Sequence, residues 1–213
     1  MDAHQKLLNI RCLVIDKKEE IDNYIDFAKM AQDNHNTELS SRILLELREE
    51  LKMSQELLIK DIAEKKDAHF SEFTLAEQQA KINTKRAKVE LAIYDAAYTN
   101  NINNSQNQEQ ATFQLEELIK KYTDIEPALL STCYVKLGSW QIETLQSNKG
   151  AMVNQLEYSK VTENYEQIVS NCRKATEIDP NNAEAWHYYS YTNEEACIYY
   201  SKQFSLEHGS KLL

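Results

Sequence analysis

Ala175-Thr176-Glu177-Ile178-Asp179-Pro180-Asn181-Asn182-Ala183-Glu184-Ala185-Trp186 is the stretch that decides the fold of this 213-residue chain. It predicts the end of one helix, a tight turn and the start of a second. Alanines on both sides let two helices approach, and Pro180 fixes the turn between them. Trp186 is expected to cap the groove of its neighbour, where truncation to alanine would cost ~3–5 kcal/mol. Outside this hairpin the composition leaves room for little but helix. Glycine occurs 3 times and proline 2, too rarely to punctuate a turn-dense sandwich or barrel. Gly138, Gly150 and Gly209 cannot build a glycine-rich phosphate loop. The expected class is all-α, with at least two thirds helix and no sheet.

Working outward, Tyr134-Val135-Lys136-Leu137-Gly138 supplies a first helix that matches this turn, as in the tetratricopeptide pattern. Tyr134 and Pro180 lie 46 residues apart, more than the roughly 34 of an uninterrupted repeat, so an insertion is expected near 146–162. Trp140, Trp186, Leu137, Cys133, Cys172, Ala175, Tyr189 and Ala196 should be buried together. Pro127 suits the first turn of the helix carrying Leu130, Cys133, Tyr134, Leu137 and Trp140. Leu115, Leu118, Ile119 and Tyr122 stripe the helix before it.

The N-terminal half shows the same period. A first helix is expected over Gln5 to Val14, with Asp16 as the cap of the next. Ile21, Tyr24, Ile25 and Ala28 stand at the i, i+3, i+4, i+7 spacing of a buried stripe. Asn34-His35-Asn36-Thr37 interrupts it, after which Leu44, Leu47, Leu51, Leu58 and Ile62 recur to about Lys66. Residues 67–86 are ambiguous, and helix resumes through Ala87, Leu91, Tyr94 and Tyr98. The polar run Asn100 to Gln108 cannot bury a face and reads as an exposed linker. Three regions follow: helical hairpins over 1–99, an Asn/Gln-rich loop over 100–110, and repeat-like helices over 111–213. Antiparallel hairpins in a row make an α-solenoid of tetratricopeptide or HEAT type.

Chemistry is sparse. The net charge of −10 and pI near 5.1 disfavour nucleic acid, which needs a basic face. Cys12, Cys133, Cys172 and Cys197 form no C-x-x-C and read as free thiols of a reducing compartment. His4, His35, His69, His187 and His208 show no ligand spacing, so no metal site is expected. Glu19-Glu20, Glu49-Glu50 and Glu194-Glu195 are sequence neighbours on different helix faces, not converging acid–base pairs. Asp26-Phe27-Ala28 lacks the glycine of a kinase metal motif and sits inside a helix. No catalytic residue and no cofactor-binding residue is expected. The start, Met1-Asp2-Ala3-His4-Gln5, lacks signal-peptide shape, and no apolar run reaches membrane-spanning length.

Cys133-Tyr134-Val135-Lys136-Leu137-Gly138-Ser139-Trp140-Gln141, then Ala175-Thr176-Glu177, then Ala185-Trp186-His187 with Glu194-Glu195-Ala196, resemble the FAT helical repeat region of target of rapamycin kinases. A further match is Arg11-Cys12-Leu13-Val14, Glu19-Glu20 and Tyr24-Ile25-Asp26-Phe27-Ala28, with Tyr24 where the family has Trp. The matches keep family order between Arg11 and Tyr200; Leu51 to Leu130 is unmatched. This resemblance to a phosphatidylinositol-3-kinase-related family implies a non-catalytic scaffold within a serine/threonine kinase of growth signalling. Its partners would be the kinase domain of the same parent chain and the subunits of a target of rapamycin complex. The site would be cytoplasmic, with the parent peripheral on endolysosomal or vacuolar membranes. Some members hold inositol hexakisphosphate; Arg11 and Arg42 fall on basic positions of that stretch, while Asp33 replaces a lysine. Tyr134, Leu137, Gly138, Trp140, Ala175, Pro180, Trp186 and Ala196 would pack the repeat. With the chain stopping at Leu213, an excised or separately encoded segment is expected. The rival reading is a free-standing tetratricopeptide-like adaptor for peptide or protein partners.

Overall fold

Helical periodicity without glycine or proline breakers produces helices of unusual length. A computed structural model describes residues 20–64, 72–100, 105–147 and 155–209. Seven helices are found there: α1 (Ile21–Asp33), α2 (Thr37–Glu64), α3 (Glu72–Asn100), α4 (Ser105–Lys121), α5 (Pro127–Ser147), α6 (Gln155–Ile178) and α7 (Ala183–Gly209). No strand occurs among the described residues. Within each of two units consecutive helices pack on one another, as in an α-solenoid. The units span Met1–Glu126 and Pro127–Leu213.

In the first unit, Ile21, Tyr24, Ile25, Phe27 and Ala28 of α1 meet Leu44, Leu47 and Leu51 of α2 and Val89 of α3. Each large apolar side chain removed from water contributes roughly 1.5–3 kcal/mol. The α1–α2 turn is built from local hydrogen bonds. The Asn34 and Asn36 amides donate to Met30 and Ala31 carbonyls at 3.2 and 2.9 Å, and His35 takes a left-handed φ of 59°. Asn36 then caps α2, its Oδ1 accepting from Leu39 N–H at 3.1 Å.

α4 closes this unit through buried Leu115, Leu118 and Tyr122. Glu90 of α3, almost buried, accepts from Tyr122 Oη at 3.0 Å and from Lys121 Nζ at 3.3 Å. Arg86 lies 3.8 Å from the same carboxylate and also donates to Gln55 of α2. A buried carboxylate persists only with such donors. Burial and the neighbouring Glu90 hold the Tyr122 hydroxyl above its usual range, against the lowering effect of Lys121.

The second unit is a three-helix arrangement in which α5, α6 and α7 each touch the other two. Ile142 and Leu145 pack with Val161, Tyr165, Ile168 and Cys172 of α6 and Ala196 of α7. Pro127 opens α5, where its missing N–H costs no intrahelical bond.

The structure corrects the linker expected over 100–110. Residues 105–110 belong to α4, and Asn100 ends α3. Gln106, Gln108, Glu109 and Gln110 are good helix formers, and Ala111 and Leu115 anchor this turn at 1% and 0% exposure. The ambiguous stretch 67–86 is helical from Glu72 onward, and the insertion expected over 146–162 is helical at 146–147 and from Gln155. The helix expected over Gln5 to Val14 and the cap Asp16 lie outside the described residues.

Candidate functional site

Of the sequence-predicted residues, Ala175, Pro180 and Trp186 meet at the helix junction around the Asp179–Asn182 turn, with Tyr134 packed nearby. Ala175 on α6 and Ala185 on α7 are both fully buried and pack with Val135 of α5. Side chains this small bring the backbones close, and polar groups then exploit the proximity. Ser131 Oγ donates to the Ala175 carbonyl at 2.9 Å, and Asn182 Nδ2 donates to Ser131 Oγ at 3.0 Å. Asn182 Oδ1 caps α7 by accepting from Ala185 N–H at 3.1 Å. Asp179 Oδ1 takes Asn181 N–H at 3.0 Å, closing the turn beside the exposed Pro180. Sequence reasoning missed Ser131. It also missed the cap Asn182, which the N-cap signal of an Asn just before Ala183 could have found.

Trp186 is the correction here. Its side chain is 50% exposed and does not cap the groove. Helical residues advance about 100° each, so burying Ala185 turns the neighbouring Trp186 outward. Its Nε1–H donates to the Pro180 carbonyl at 2.9 Å, and its ring meets Tyr189 edge-on at 6.3 Å. A gap of alanine width leaves no room for an indole. Tyr189 is likewise only half-buried. Trp140, by contrast, is 3% exposed.

Elsewhere in the unit, Gly138 of α5 lies directly against Cys172 of α6. A side-chain methyl there would overlap Cys172 Sγ. Leu137, Cys133 and Ala196 are buried, and Tyr134 is half-buried beneath Lys174 Nζ at 5.7 Å. Asn171 bridges α6 to α5, donating to Gln141 Oε1 at 2.9 Å. Burial pushes the Cys133 thiol up to about 12 and the Cys172 thiol up to about 11, contact with Thr192 offsetting part of the latter. Both therefore carry their protons at neutral pH, the opposite of an activated nucleophile. Among the described residues no group of three or more His, Cys, Asp or Glu could hold a metal ion. The hydrogen bonds of the junction join α5, α6 and α7.

A family model described as FAT domain matches residues 1–211. The chain belongs to the FAT domain family. FAT domains are helical, non-catalytic scaffold regions of phosphatidylinositol-3-kinase-related kinases. No curated protein and no solved structure matches the chain.

In this FAT segment the polyanion residues named by resemblance are not gathered by the described structure. Arg11 lies outside the described residues, and Asp33 is exposed at the end of α1. Arg42 is exposed on α2 beside Glu38, Glu46, Glu49 and Glu50. Four carboxylates around one guanidinium repel a polyanion rather than draw it in. Asp26 is exposed mid-helix in α1 while Phe27 and Ala28 are buried, as expected of packing positions. No described helix is long and apolar enough to cross a membrane.

Proposed function

We propose that this chain is the FAT segment of a target of rapamycin kinase, a scaffold that supports and restrains the kinase domain of its parent chain in growth signalling. The family match over residues 1–211 carries the reading. Within the family, the Leu137-Gly138-Ser139-Trp140-Gln141 and Arg11-Cys12-Leu13-Val14 stretches favour target of rapamycin over its relatives. The physical features suit a passive, shape-defining part: long helices, buried protonated thiols and a junction spent on helix-to-helix bonds. Partners are the parent's kinase domain and the other subunits of its complex, in the cytoplasm. The test is association of the purified chain with a target of rapamycin kinase domain, measured by biolayer interferometry. Micromolar binding that a kinase domain from another member of the wider family does not reproduce is expected. Equal binding to both, or none at micromolar concentration, would remove the assignment.

A further inference from the structure

α5 and α7 are built on one plan. Tyr134, Gly138, Gln141 and Leu145 of α5 recur 52 positions later as Trp186, Ser190, Asn193 and Cys197 of α7. Each set is an aromatic, a small residue, a side-chain amide and an apolar residue in one register. Cys133 and Ala185 correspond in the same way and are both fully buried, as are Trp140 and Thr192. The first set meets α6. Gly138 lies against Cys172, and Gln141 Oε1 accepts from Asn171 Nδ2 at 2.9 Å. Tyr134 lies under Lys174 Nζ at 5.7 Å, and Leu145 is buried. On α7 the corresponding Trp186, Ser190 and Cys197 are exposed. α7 thus repeats the surface that α5 buries under α6, and no described helix covers it. Trp186, Tyr189, Ser190, Asn193, Cys197 and Tyr200 fall within about 100° of arc along about 21 Å of helix, and none is charged. Solvated helix faces are normally charged or polar, so an aromatic strip of this length marks a contact surface.

The α5–α6 contact specifies what fits there. Gly138 against Cys172, and Val135 packed with Ala175, set an antiparallel register. In it Asn171 faces Gln141, and Ile168 falls opposite Ile142. Transferred to α7, that register calls for a small residue on Ser190, an amide on Asn193 and a cation over the Trp186 ring. Glu194 stands where α5 has Ile142. The place of Ile168 would therefore take lysine or arginine, whose stem also covers apolar surface. We propose that the open face of α7 binds an antiparallel α-helix from outside this chain that imitates α6 in this way. A second copy of the chain is disfavoured as its source, because its own α6 is spent on α5. The surface belongs to the second unit alone, and the inference stands apart from the identity of the parent kinase.

Fluorescence anisotropy on the full 213-residue chain tests it with two labelled peptides. One copies Val161–Ile178 with Ile168→Lys, and the other adds Cys172→Leu. The first should bind at micromolar concentration, and the second about tenfold more weakly. Leucine is the better helix former, so that loss reports crowding on Ser190 rather than poorer folding of the peptide. In the protein, Ser190→Leu and Trp186→Ala should each weaken the first peptide about tenfold, near 1.4 kcal/mol. Phe113→Ser on α4 removes a comparably exposed apolar side chain and should leave binding within about twofold. Equal binding of both peptides, or an equal loss from Phe113→Ser, would overturn the proposal. So would unchanged binding to Ser190→Leu, since the peptide would then have displaced α6 from α5. Self-association of the free chain in sedimentation, abolished by Ser190→Leu, would also overturn it, because the occupant would then be a second copy.

Discussion

Gly138→Ala puts a sharp question to the α5–α6 contact. The added methyl would overlap Cys172 Sγ, whereas the nearest backbone atoms, Cys172 N and Ile168 O, stay at 3.9 Å. The thiol alone therefore opposes it. Overpacking of this kind costs ~1–3 kcal/mol, and Gly→Ala inside a helix returns ~1 kcal/mol. The expected net effect is a loss of ~0–2 kcal/mol. Cys172→Ala removes the obstacle, so in that background Gly138→Ala should stabilise by ~1 kcal/mol. The coupling between the two sites is then ~1–3 kcal/mol. Urea unfolding read by tryptophan fluorescence measures it, because Trp140 and Trp186 both belong to the second unit. If Gly138→Ala stabilises equally in both backgrounds, the close approach does not exist.

Trp186→Ala should cost under ~1 kcal/mol, as surface substitutions do, against ~3–5 kcal/mol for Trp140→Ala; comparable losses in chemical melts would contradict the exposure difference. Tyr165 is fully buried and its hydroxyl has no hydrogen-bond partner, so Tyr165→Phe should raise stability by ~1 kcal/mol, and a lower urea midpoint would show a hidden partner. Ser131→Ala strips the Asn182 amide and the Ala175 carbonyl of a bond at once and should cost ~1–3 kcal/mol, checked by hydrogen exchange at the α6–α7 turn. The Cys133 and Cys172 thiols ionise near 9 when unperturbed, and in the fold only at about 12 and 11. The stability they confer is thus complete below pH 9 and is lost as pH rises through that window. Urea midpoints should fall from about pH 9 toward pH 11–12, and a rise would reverse the sign. At neutral pH a thiol-alkylating reagent should label the exposed Cys197 well before either buried thiol.

Much of this fold was legible because periodicity and burial agree. Ile21, Tyr24, Ile25 and Ala28 are all buried, as their spacing predicts. The break at Asn34–Thr37 was legible as an interruption of the stripe, and the structure adds that the Asn34 and Asn36 side chains make cap bonds there. Composition misled at Ser105–Gln110, where the polar run hid the good helix propensity of its Gln and Glu residues and the anchor at Ala111 and Leu115. Size misled at Trp186: the largest apolar residue was given the interior, but the alanine beside it holds that place. Glu90 was invisible because its donors, Lys121 and Tyr122, come from a helix 31 and 32 residues away. Sequence spacing cannot show such a meeting. The division between units falls at Glu126 and Pro127, because α4 buries its stripe against α3 rather than joining the repeat-like helices.

The Ser131 hydroxyl has a mechanical consequence. It donates to the end of α6 and accepts from the start of α7, while its own backbone belongs to the first turns of α5. One oxygen thereby rivets three helix ends at a single rim. Torque on α7 passes to α5 through directional bonds of 2.9 and 3.0 Å, which resist twisting more stiffly than a greasy layer that can slide. Any splaying of the three helices must take that rim as its fulcrum, so a pull on the far end of α7 is levered, not absorbed.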